Sequence, residues 1–74
     1  MAGFVIEYNR RTQDWSVTEF LSDTGHREAL RLRLERERNR TDEDIEIVSL
    51  VSDSLQTIQK THARYFVGRE LVAS

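Results

Sequence analysis

Residues 45–51, Ile-Glu-Ile-Val-Ser-Leu-Val, decide the fold. Successive side chains of a strand point to opposite faces, so Ile45, Ile47 and Val51 fall on one side and Val48 and Leu50 on the other. A strand apolar on both faces is central in its sheet or covered on both sides. The segment therefore demands a sheet, and the residues before and after it must supply the partners.

Upstream, residues 4–11 alternate with Phe4, Ile6 and Tyr8 on one side. Residues 15–22 alternate with Trp15, Val17 and Leu21. Both runs are rich in β-branched and aromatic residues, which suit a pleated, half-buried surface. The polar triplet Thr12-Gln13-Asp14 joins them as a hairpin turn. Ser22-Asp23-Thr24-Gly25 then breaks the alternation, and Asp23 or Thr24 is suited to cap a helix start.

Residues 25–39 are strong helix formers without a β-branched residue, so length and composition predict a helix. On a wheel of about 100° per residue, Leu30 and Leu34 define the expected core side. Leu32 then lies nearly opposite, on the expected outer side. Downstream of the third strand, Ser52-Asp53-Ser54 signals a second helix start. Residues 54–67 place Leu55, Ile58, His62, Tyr65 and Phe66 at steps of three and four, the pattern of an amphipathic helix. Leu55, Ile58 and Phe66 are its expected anchors, and Gly68 is placed to end it.

The order β-β-α-β-α allows a right-handed crossover that lays the third strand beside the first. The expected architecture is α+β, a three-stranded antiparallel sheet of order 2-1-3 with two helices on one face. Residues 1–68 form the single domain and residues 69–74 a short C-terminal tail whose Leu71 and Val72 pack locally or on a partner.

A chain of 74 residues has one core of modest size. With no cysteine, disulfides are excluded, and His26 and His62 with carboxylates make a poor structural zinc set, so self-association is the remaining supplement. If the helices cover one sheet face, Val5, Phe20, Val48 and Leu50 line the other, which predicts a homodimer packed through those four residues. The net charge of −2 argues against a general polyanion binder. No apolar run is long enough to span a bilayer and no secretory leader is evident, so no membrane role and a cytoplasmic location are expected.

Three surfaces remain as candidates. Arg27, Arg31 and Arg38 fall in one sector of the first helix and, with Leu32 as an exposed leucine, could meet a partner or lie along phosphates. Arg10 and Arg11 at the hairpin tip could add to such a site. The acidic Asp42-Glu43-Asp44 loop opposes its field, so a solvated face is the expected state and nucleic acid is not the expected partner. His62, Arg64 and Tyr65 could border a pocket, with His62 as acid or base. No nucleophile elbow or phosphate-binding glycine loop occurs, and no catalytic, cofactor or metal residue is assigned. The expected function is a small non-enzymatic interaction or regulatory module acting as a homodimer toward an unidentified protein partner. The alternatives are a nucleic-acid-associated protein and a small enzyme or ligand binder.

Overall fold

The computed structural model describes residues 2–71. The chain runs β1 (Ala2–Asn9), β2 (Trp15–Phe20), α1 (Gly25–Arg38), β3 (Ile45–Ser52) and α2 (Leu55–Thr61), followed by a 3-10 turn at Ala63–Phe66. The strands form one antiparallel sheet in the order β2-β1-β3. The class is α+β, with the element order and sheet order that the sequence predicts.

The register sorts the side chains into two sets. Ile6 lies opposite Val17 on β2 and Val48 on β3, and Phe4 lies opposite Leu50, so these residues share one face. Gly3 opposite Phe20 and Val51, and Glu7 opposite Ile47, belong to the other. Val5, Ala29 and Ile47 cluster with Phe20, Leu32 and Ile45, which places α1 on this second face. Ala2, Phe4, Ile6, Ile58 and Tyr65 cluster with Tyr8, Val17, Val48, Leu50, Leu55 and Phe66, which places α2 and the 3-10 turn on the first.

The helices therefore cover opposite faces of the sheet, a correction to the expected single-faced arrangement. The physical reason lies in the central strand. Phe4, Val5 and Ile6 are all at most 2% exposed, so both faces of β1 need cover, and one helix supplies each.

Two glycines set the depth of α1. A side chain on Gly3 would run into the carbonyl of Gly25, and one on Gly25 into the carbonyl of Phe20. Backbone meets backbone at the first turn of α1, and the next residue facing the sheet is the small, buried Ala29. The helix is consequently rotated from the expected orientation: Leu32 packs against the core, while Leu30 and Leu34 are 47% and 52% exposed. Thr24 occupies the N-cap position without a side-chain bond to the backbone; its hydroxyl pairs with Ser22 and Glu28 instead.

The second helix is shorter than its periodicity suggests. Ser54 caps it by accepting from the Thr57 N–H at 3.2 Å, and it ends at Thr61. His62, at φ −124° and ψ 44°, breaks the helix. The 3-10 turn beyond it sets Tyr65 edge-on to Tyr8 at 5.4 Å and Phe66 edge-on to Trp15 at 4.7 Å.

Gly68 does not end a helix; its bare Cα is needed where a side chain would strike the Gln13 carbonyl. The Gly68 carbonyl accepts from the Trp15 indole N–H at 2.9 Å. The Trp15 N–H donates to the Arg69 carbonyl, and the Leu71 N–H donates to the Trp15 carbonyl, so the tail adds a short parallel bridge at the start of β2. Val72 lies outside the described residues.

Candidate functional site

The four residues expected to form a dimer face do not form one surface. Val5 and Phe20 lie beneath α1, whereas Val48 and Leu50 face α2. Their two-sided pattern is satisfied inside one chain. That part of the homodimer reading is corrected: β3 places its Ile45–Ile47 side, not its Val48–Leu50 side, on the same face as Val5.

The apolar surface left exposed lies elsewhere. Phe20 of β2 borders a shallow depression with Glu28, Leu32 and Glu35, so that flank of α1 faces β2. Leu30 and Leu34 lie about 160° around the helix from Leu32, in a groove they share with Arg27, Arg31, Glu35, Arg38 and Asn39. On the same sheet face, Val51 of β3 is 53% exposed. Among the described residues no strand pairs with the outer edge of β3, while β2 carries the bridge from the tail. The outer edge of β3 thus carries the half-exposed Val51 at one end, while at the other Ile45 donates to the Asp42 carbonyl and accepts from Arg40. The remaining exposed apolar residues, Leu21, Val67 and Leu71, lie in the connecting and tail segments, where isolated exposure is ordinary.

The arginine ridge forms the outer crest of α1. Arg33 pairs with Glu37 at 3.0 Å and Arg36 reaches down to Glu7 of β1 at 2.9 Å. Arg40 donates to the Ile45 carbonyl, and Arg11 lies within 4 Å of Asp42 and Asp44. Arg10 donates to the Glu43 carbonyl. The acidic loop therefore engages the hairpin arginines rather than the helix. The guanidinium groups of Arg27, Arg31 and Arg38 make no hydrogen bond or ion pair among the described residues, and they border a groove with Leu30, Leu34 and Glu35. Leu32, grouped with them by sequence, is turned inward.

His62, Arg64 and Tyr65 do come together, but around a filled centre. Arg64 lies over the Tyr65 ring at 4.4 Å and donates to its hydroxyl at 2.7 Å, with Glu46 at 3.3 Å. The hydroxyl of Tyr65 and the carboxylate of Glu46 raise the pKa of Arg64 further above its ordinary value. His62 stacks on Tyr65 at 6.4 Å. Thr61 spends its hydroxyl proton on the Thr57 carbonyl, so His62 Nδ1 must donate to Thr61 Oγ1 at 2.9 Å. That fixes a tautomer without preparing a base for a nucleophile.

A cleft of about 320 Å³ opens below the last turn of α1, floored by Ile45, Ile47 and Leu71. The Glu7–Arg36 ion pair lies on its wall, each charge already matched. No helix among the described residues is long and apolar enough to cross a membrane.

No protein-family model, curated protein or solved structure matches this chain. The reading of its function rests on its own surface. Sequence periodicity missed Leu30 and Leu34 because it ranked residues by bulk. The signal that finds them is Gly25 and Ala29, four apart and opposite Gly3, which marks the close-packed side.

Proposed function

We propose that the chain is a small protein-interaction module, not an enzyme, and that it works through the outer edge of β3 and the exposed Leu30 and Leu34 of α1. The observation that carries this reading is the half-exposed Val51 on the sheet's open edge, with Leu30 and Leu34 exposed on α1. Unpaired strand edges are ready templates for another chain, and natural edges are usually blunted by lysine, proline or a covering element. β3 has Glu46 as its one charged residue and no proline. The apolar Val51 on such an edge adds contact area.

The reading is tested by placing a photo-crosslinking amino acid at position 34, with position 60 on α2 as the control, in cells that make the protein. An adduct at 34 that is absent at 60 and lost in Val51→Asp supports it. Equal labelling at both positions overturns it.

A second reading is favoured by the three unpaired arginines of the α1 crest, which suit phosphates. Titration with mixed DNA and RNA at about 50 mM salt tests it, because low salt strengthens such contacts. Submicromolar binding that collapses in the Arg27, Arg31 and Arg38 triple alanine variant would place nucleic acid first.

A further inference from the structure

We infer that the outward face of α1 is a seat for an acidic amphipathic helix of another protein. The inference rests on the interaction-module reading and adds the chemistry of the partner.

The sequence of α1 sets that face. Gly25, Ala29, Leu32 and Arg36 follow at steps of four, three and four and all turn toward the sheet. Gly25 and Ala29 are buried, Leu32 packs against the core and Arg36 reaches Glu7. On a wheel of about 100° per residue these positions span about 60°, and the opposite sector holds Arg27, Leu30, Arg31, Leu34 and Arg38. The sheet is already covered by the inward row, so the two outward leucines have no task inside the chain.

The shape of the face suits a helix. Side chains four apart stack into ridges along an α-helix, and packed helices set a ridge of one into a groove between two ridges of the other. Arg27, Arg31, Glu35 and Asn39 make one such ridge, and Leu30, Leu34 and Arg38 make the next. The groove beside them is lined by these two ridges alone, so no other element of the chain fills it. From residue 27 to residue 39 it runs about 18 Å, a little over three helical turns.

Charge selects the occupant. Every other arginine of the chain meets a carboxylate or a backbone carbonyl. The guanidinium groups of Arg27, Arg31 and Arg38 do not, and all three line this groove, with Glu35 as its one acid. The groove is thus net positive on a chain whose net charge is −2. A second copy of α1 would set arginine against arginine; an acidic partner would not. The leucines then decide which acidic partner. Phosphates would pair with the arginines and leave Leu30 and Leu34 wet. Two leucines are too little apolar area to hold a helix in a lipid surface. A helix with leucine in one row and aspartate or glutamate in the next satisfies both walls, its apolar row in the groove and its carboxylates on the guanidinium groups.

The probe is a fluorescein-labelled helical peptide that spans the groove, with leucine in one row, glutamate in the adjoining row, and alanine and glutamine elsewhere. It is titrated with the full chain up to about 500 µM at about 50 mM salt and followed by fluorescence anisotropy, conditions that capture weak, charge-assisted binding. Saturable binding is expected, at least about tenfold tighter than for a peptide of the same composition with its leucines scattered around the helix. Leu34→Asp, at an exposed position, should keep its far-UV circular dichroism and weaken binding at least about tenfold. The triple variant Arg27→Glu, Arg31→Glu, Arg38→Glu should reject the glutamate peptide and bind its lysine counterpart. Failure to saturate overturns the inference. So do equal binding of the scattered peptide, undiminished binding by either variant, and tighter binding to mixed DNA and RNA or to phosphatidylserine vesicles than to the peptide. If the position-34 crosslink is specific while the peptide fails, the acidic helix is excluded and the interaction-module reading stands; equal labelling at 34 and 60 removes both.

Discussion

Gly3 and Gly25 face each other where α1 enters, and the depth of that contact governs which α1 residues are inside. Adding a methyl group at Gly3 must lift the helix off the strand, because the obstacle is backbone and not a movable side chain. Gly3→Ala is expected to cost about 1 to 3 kcal/mol by overpacking, read from the midpoint of a urea melt. A second residue, Asp53, reports on the start of α2. Hydrogen bonds from the Thr57 and Ser52 hydroxyls hold its carboxyl below the ordinary value of 3.8. A carboxyl with a lowered folded pKa contributes stability that is complete above the unfolded pKa and is lost as pH falls through the folded one. The melting temperature is therefore expected to fall below about pH 4 partly through this group, and Asp53→Asn should flatten that part of the profile. An NMR titration of Asp53 giving a value above 3.8 would remove the explanation.

The elements divide by how their residues advertise themselves. Strands β1, β2 and β3 were legible because alternation and β-branched content agree, and the loop between β2 and β3 was long enough for a helix. The sheet order followed from crossover handedness. The side of the sheet on which each helix lies was not legible: β3 is apolar on both faces, so its pattern fits two covers from one chain as well as one cover and a partner. The rotation of α1 was hidden for a related reason. Leucines at 30, 32 and 34 leave the wheel undecided, and the deciding contact is between two glycines distant in sequence. Substitution separates the two orientations. Leu32→Ala is expected to cost about 1 to 2 kcal/mol, below the full-burial range because the residue is only partly enclosed. Leu30→Ala should stay within about 0.5 kcal/mol. On the other face, Ile58 at 2% exposure anchors α2, and Ile58→Ala should cost about 2 to 5 kcal/mol. The anchoring role expected for Phe66 is shared with Trp15, against which it lies half-buried.

For the whole molecule, a three-layer arrangement gives so short a chain two small cores in place of one, divided by a sheet that both helices need. Loss of either helix uncovers β1, so α1 and α2 are expected to unfold together, with fluorescence of Trp15 and far-UV circular dichroism giving coincident transitions. The candidate surface was only partly legible at this scale. An arginine crest is visible in one dimension, but which strand edge stays open depends on where the tail returns. That return has a consequence for growth. A sheet with one receptive edge can only pair, and the pair is finished; a sheet with two receptive edges adds units at both ends without a stopping rule. At β2 the guard is residues 69–71, which bridge Trp15 alone of the strand Trp15–Phe20. A chain ended after Gly68 is expected to lengthen into ribbons that sediment at low speed and bind thioflavin, and Leu34→Asp in the same chain should not prevent it, because growth would then proceed from the β2 edge. A truncated chain with the size distribution of the full one would show that β2 needs no such guard.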